Sequence, residues 1–215
     1  MNKAMLFCIF MFFRAKKHTK NKKKIELLGN DNSKNILVIG VFHGDEPQGE
    51  YLINEYLKEN DSKLLFIPCL NPDGKCLNTR QNANNVDLNR NFPTKNWIKS
   101  EDPHYFGGNE PACEIETKFM VEIIEEYKPK AILTIHSPYC VVNYDGDCKP
   151  LAEEISKIIN YPTDDDIGYP TPGSFGTYCG KERNIPTITL ELSEEAPVET
   201  LKEPMFKIFK LLETL

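Results

Sequence analysis

No apolar run in this chain reaches the ~20 residues that a membrane-spanning helix needs. The longest, Ala4 to Phe13, covers ten residues, which argues against a stable membrane span. There is no Cys-x-x-Cys pair, and the seven cysteines are an odd, scattered set. That argues against a disulfide framework and favours a reducing compartment. Basic residues are scarce after the first two dozen positions. Residues 1–24 hold eight Lys/Arg and no acid, which leaves 18 bases against 32 acids in residues 25–215. A body with a net charge of −14 repels a phosphate backbone, so nucleic acid is excluded as a partner. No internal repeat and no linker-like stretch follows residue 24, and nothing in the chain signals an oligomeric state.

What is present is ordinary globular composition at one domain's length, 215 residues with 40% hydrophobic and 27% charged. Asn35–Phe42 (NILVIGVF), Lys63–Pro68 (KLLFIP), Ala131–His136 (AILTIH) and Thr187–Leu192 (TITLEL) read as core strands. Helical patterns separate them at Pro47–Leu57, Cys113–Tyr127 and Pro150–Ile159, and a helix closes the chain between Val198 and Leu215. Asn71-Pro72-Asp73-Gly74 favours a turn. Lys75 to Ala112 is polar, with little periodicity, and so long a structureless stretch is usually functional. The expectation is a single-domain α/β fold, with a mixed, mostly parallel sheet flanked by helices.

The first 24 residues are set apart as an apolar and basic leader outside a catalytic body of residues 25–215. Positive charge directly after the apolar run opposes its export, so a cytoplasmic protein with a dispensable leader is the first reading. A signal, a membrane tether (with a periplasmic location) or an over-long start are the alternatives.

In α/β sheets, ligands gather at the carboxyl ends of the strands. His43 and Glu46 follow the first core strand, His136 ends the third and Glu191 lies near the end of the fourth. Two of the four histidines therefore terminate core strands. Two histidines and one carboxylate are the ligand set of catalytic zinc, which keeps a fourth position open. Gly44 lets the backbone turn between His43 and Glu46. A carboxylate inside an apolar strand, as at Glu191, is costly without a partner.

The ordered set His43-x-x-Glu46, Asn71-Pro72-Asp73-Gly74, Arg80, Asn84 to Pro93 (NNVDLNRNFP), His136-Ser137 and Thr189-Leu190-Glu191-Leu192 resembles the zinc carboxypeptidase family over roughly residues 25–195. Chain length, Pro103–Lys118 and Gly168–Gly176 turn the likeness toward bacterial murein peptide amidases, which cut the γ-D-glutamyl–meso-diaminopimelate bond of cell-wall peptides. The resemblance implies one Zn²⁺ per chain, held by His43, Glu46 and His136, with Glu191 as general base and Arg80 as oxyanion stabiliser. It further implies that Asn89 and Arg90 grip a substrate carboxylate and that Asp87 orients the His43 ring. A substrate-contacting tyrosine is Tyr169 or Tyr178.

The implied partner is a small murein tripeptide. Its distal amine would meet Asp145, Asp147 or another acid, because Thr171–Cys179 contains none. An N-acyl amino-acid deacylase of the aspartoacylase type shares the His-x-x-Glu and Asp-Leu-Asn-Arg arrangement. A general metallocarboxypeptidase and a catalytically dead peptide-binding module complete the alternatives. All three ligands and Glu191 are present, which opposes the last. His104, beside Tyr105 in a Pro/Gly loop, reads as a surface residue. Cys140 and Cys148 read as small buried hydrophobes.

Overall fold

The computed structural model describes residues 12–215. One eight-stranded sheet runs through it, in the order β1-β2-β4-β3-β5-β8-β6-β7. Its centre is parallel: β3 (Ile36–Ile39) pairs with β4 (Leu65–Ile67) and β5 (Ala131–His136), and β5 pairs with β8 (Thr187–Glu191). These short, mainly apolar runs are almost entirely buried, as parallel strands covered by helices must be, and the polar residues His136 and Glu191 stand at the ends of β5 and β8. β6 (Val141–Asp145) lies antiparallel to β8, and β7 (Thr163–Asp164) lies parallel to β6. The four strands read from sequence are all here, the third over the same residues and the other three at shorter lengths.

One face is covered by α1 (Gln48–Glu59), α4 (Lys149–Ile159) and α5 (Lys202–Leu212). In α5, Met205, Ile208, Phe209 and Leu212 recur at helical spacing and are fully buried. The other face is covered by α3 (Ile115–Tyr127), through Phe119, Met120, Ile123 and Ile124. Among the described residues, no helix is long and apolar enough to cross a membrane.

Two expectations are corrected. Asn71–Gly74 opens a short helix, α2 (Pro72–Leu77), instead of forming a free turn. The Asn71 side chain accepts from Gly74 N at 2.9 Å, and Pro72 occupies a first-turn position, where its missing N–H costs nothing. The second correction concerns the leader. Residues 12–24 are built into the fold: β1 (Phe12–His18) turns through residues 19–23 and pairs antiparallel with β2 (Lys24–Gly29) across six registered positions. Lys17 reaches Glu122 of α3 at 3.0 Å, and Asn21 N donates to Asp73. Met1–Met11, and with them most of the apolar run, lie outside the described residues.

Deleting residues 1–20 would strip β2 of its outer neighbour, and Ile25 and Leu27 are fully buried on that strand. The deletion is expected to lower Tm by roughly 5 °C or more, since ~1 kcal/mol shifts a domain of this size by about 2–4 °C. Thermal unfolding followed by circular dichroism checks it, and an unchanged Tm would restore the leader reading.

Candidate active site

The parallel strands deliver their last residues to one edge of the sheet. β3 runs through Gly40 and Val41, whose φ of 53° is unusual for a β-branched residue, to Phe42 and His43. The His43–Glu46 loop then packs directly on the start of α2. A Cβ on Gly44 would lie 1.9 Å from the Gly74 backbone, and Asn71 Nδ2 donates to Phe42 O at 3.2 Å. The Asn-Pro-Asp-Gly segment is thus the bed on which the loop rests, and Gly44 is needed for that approach.

His136 ends β5, and the register sets Glu191 of β8 directly beside it. His43 Nδ1 lies 2.7 Å from Glu46 Oε1, and His136 Nδ1 lies 3.0 Å from Glu46 Oε2. All three side chains are buried, and a donor atom from each falls within 4.8 Å of the others. Two imidazole nitrogens and a carboxylate converging in this way fit a zinc ion with an open position.

Burial alone would push the His43 imidazole toward neutrality. The Glu46 and Asp87 carboxylates outweigh it and raise its pKa to about 9. Glu46 is likewise opposed by burial, yet His43 and His136 hold its carboxyl far below the usual range. The charges that favour a proton on His43 would equally favour a divalent cation.

Asp87 lies behind His43 and is completely buried. It faces His43 Nε2 at 3.3 Å and binds Arg80 twice, at 3.0 Å from Nε and 2.9 Å from the second terminal nitrogen. It also caps its own loop by accepting from Asn89 N at 2.8 Å. The histidine and the arginine are therefore oriented by one carboxylate. Arg80's remaining nitrogen points to the ligand cluster, 3.3 Å from His43 Nδ1 and 3.9 Å from Glu46 Oε1.

Glu191 is 7% exposed, and its Oε2 has no hydrogen-bond partner among the described residues. Burial first, and the neighbouring Glu46 carboxylate next, raise its pKa against the pull of His136. Arg90 is 4% exposed, with no carboxylate within ion-pair distance among the described residues. One of its terminal nitrogens donates to Asn89 O at 2.6 Å, while Asn89 Oδ1 accepts from Phe175 N at 2.9 Å.

A cavity of about 830 Å³ gathers His43, Glu46, Arg80, Asn89, Arg90, His136, Tyr169 and Glu191 in its wall. The two tyrosine candidates are placed differently. Tyr169 lines the cavity, whereas Tyr178 is buried against Phe92 and under Arg183. Burial and the neighbouring Tyr139 raise the Tyr169 pKa to about 12, so it stays an O–H donor. His104 is exposed at the rim. Cys148 is buried as expected, but Cys140 is only half-buried at a φ of 52°.

Sequence reasoning missed Tyr105. Its ring lies 5.7 Å from the Arg80 guanidinium and 5.4 Å from that of Arg90, and so holds both cations. A lone aromatic in a polar loop carries no pattern that would have revealed this.

The profile of the zinc carboxypeptidase family matches residues 14–174. Murein peptide amidase A of Vibrio campbellii is 33% identical over 197 residues, covering 85% of this chain and 78% of its own. The protein of that name from Escherichia coli K12 is 30% identical over 191 residues, with 82% and 78% covered. Murein-tripeptide amidase MpaA from Escherichia coli O157 superposes with a TM-score of 0.82 at 26% identity, over 94% of this chain and 93% of that one. Carboxypeptidase A from Helicoverpa armigera shares the fold, with a TM-score of 0.72 at 18% identity over 91% and 66%.

Proposed function

The chain belongs to the zinc carboxypeptidase family, whose members are zinc metallopeptidases, and from that footing we propose that it hydrolyses the γ-D-glutamyl–meso-diaminopimelate bond of murein tripeptides. The relatives named murein peptide amidase support this reading, since the likeness extends over most of both chains. The observation that carries it is Arg90, a buried guanidinium on the cavity wall with no carboxylate to pair with among the described residues. Such a charge is costly to bury unless a ligand supplies its partner. A free carboxylate next to the scissile bond supplies it, so the enzyme should release the terminal residue of a short peptide.

In this proposal His43, Glu46 and His136 hold one zinc ion. Zinc, when bound, supplies a Lewis acid for the scissile carbonyl and an acidified water. Glu191 accepts a proton on its unpartnered oxygen and hands it to the leaving amine. Arg80, fixed by Asp87, donates to the carbonyl oxygen as negative charge develops there. Asn89 and Arg90 hold the terminal carboxylate, and the Tyr169 hydroxyl donates to the peptide. A cytoplasmic location is part of the same proposal, supported by the six free cysteines among the described residues.

The test is a comparison of kcat/KM on L-alanyl-γ-D-glutamyl-meso-diaminopimelate, on the tetrapeptide extended by D-alanine, and on hippuryl-type L-substrates. The tetrapeptide should be poorer by about 100-fold or more, because its amide leaves Arg90 without a charge-assisted partner. Equal rates on the two would overturn the carboxylate clamp. Preference for an L-substrate would overturn the murein assignment and leave the zinc site standing.

Asp87→Asn is expected to lower zinc affinity by about 10–100-fold, the usual cost of losing a ligand's orienting carboxylate. It should also lower kcat at saturating zinc, because Arg80 loses the same anchor. Zinc titration against a chelating dye reads the first effect. An unchanged affinity would reduce Asp87 to a loop cap.

A further inference from the structure

The wall of the cavity that descends from Glu191 ends in an ion pair that the proposed chemistry does not use. β6 runs antiparallel to β8 with Val141 opposite Glu191, Asn143 opposite Thr189 and Asp145 opposite Thr187. Alternate residues of a strand face the same side, and Glu191, Thr189, Asn143 and Asp145 all line the cavity. Asp145 therefore lies four residues below the level of Glu191, roughly 13 Å along the strand.

The pocket around Asp145 is shaped for it. A Cβ on Gly176 would come within 2.0 Å of the Asp145 carboxylate, and one on Gly180 within 2.4 Å of its Cβ. Only glycine at both positions leaves that notch open. Gly176 precedes, and Gly180 lies within, the π-helical turn Thr177–Lys181, a form of helix often found at functional sites. That turn carries Lys181, whose Nζ lies 3.1 Å from Asp145 Oδ1 and which also lines the cavity. The Asp145 side chain is 12% exposed and that of Lys181 is 57% exposed. Asp147, the other acid considered from sequence, is exposed and lies outside the cavity wall.

Resting on the amidase reading of this cavity, we propose that Asp145 and Lys181 together recognise a second amino-acid head at the far end of the substrate's terminal side chain. Asp145 accepts hydrogen bonds from its ammonium, and Lys181 donates to its carboxylate. The dimensions fit. The two nitrogens of an extended diaminopimelate residue lie roughly 7.5 Å apart, and a hydrogen-bond length at each end brings the span to about 13 Å.

The charges discriminate as well. A zwitterionic head meets both members of the pair with the opposite sign. A lysine side chain satisfies Asp145 but brings an ammonium against Lys181, and a neutral side chain desolvates both without compensation. Asp165 and Asp166 on the same cavity wall add to the preference for a cation at the Asp145 end.

The experiment uses the zinc-loaded full chain and three tripeptides, L-alanyl-γ-D-glutamyl-X, with X as meso-diaminopimelate, L-lysine or L-norleucine. The wild type should favour diaminopimelate over lysine by tenfold or more in kcat/KM, chiefly through KM. In Lys181→Met that ratio should fall toward one. In Asp145→Asn the preference of both charged residues over norleucine should fall by a similar factor. Proportional losses on all three substrates would mean that the pair only braces the π-helical turn, and would overturn the proposal, as would unmoved ratios. Lys181 is largely exposed, so its variant decides the matter even if Asp145→Asn misfolds. A wild type that cuts the diaminopimelate tripeptide while the variants keep its selectivity refutes only this assignment. A wild type that cuts no γ-D-glutamyl substrate refutes the amidase reading and this inference with it.

Discussion

Glu191→Gln is expected to lower kcat on the murein tripeptide by about 10³-fold, within the 10²–10⁴ range for loss of a positioned general base. Zinc content and fold should be retained. The amide has the shape of the carboxylate and keeps one acceptor oxygen, so the packing at the end of β8 is undisturbed. What it loses is the ability to take a proton. The unpartnered Oε2 makes this a sharp test, because among the described residues no protein hydrogen bond is broken there when the atom becomes an NH₂. Steady-state rates paired with zinc analysis check the outcome. A rate within threefold of wild type would assign the base elsewhere and reopen the deacylase alternative.

His136→Ala is expected to be as severe for a different reason. It should remove most of the zinc at stoichiometric metal, with affinity down by three orders of magnitude, about 4 kcal/mol at ~1.4 kcal/mol per decade. With three protein ligands converging on one point, each supplies a large share of the binding. Activity should fall with metal content. His43→Ala should behave the same way and in addition take from Asp87, a buried carboxylate, one of its partners, leaving Arg80 and the Asn89 N–H. The two variants are separated from Glu191→Gln by metal analysis: they lose zinc, whereas the glutamine variant keeps it. Full zinc occupancy in either histidine variant would show that the ligand set is wrong.

The parts of this molecule that could be read from sequence are those where local pattern and tertiary role agree. β3, β5 and β8 are mainly apolar because both faces are covered, and the chemistry-bearing residues sit at their ends because that is where the chain leaves the sheet. β1 is an edge strand, and Arg14, Lys16 and Lys17 give it the charge that edges carry against unwanted pairing. The same charge made it look like a leader. β6 was hidden because Asn143 and Asp145 serve the cavity and interrupt its apolar alternation.

The polar stretch from Lys75 to Ala112 has no periodicity because buried asparagines organise it. Asn82 Oδ1 accepts from Asn84 N and Val86 N, and Asn91 Nδ2 donates to the carbonyls of Gly107 and Glu110. Such side-chain to backbone ties replace secondary structure without leaving a repeat to detect. Tyr105 under two arginines, and Lys181 opposite Asp145, depend on contacts between segments distant in the chain and carry no local signal.

The most direct measurement is mass spectrometry of the murein tripeptide digested in water enriched in heavy oxygen, run beside a sample stripped of zinc by a chelator. The account predicts two products, L-alanyl-D-glutamate carrying one heavy oxygen in its new γ-carboxyl group and unlabelled meso-diaminopimelate. Neither should form in the stripped sample until zinc is restored. Release of alanine, label in the diaminopimelate, or undiminished cleavage without zinc would contradict it.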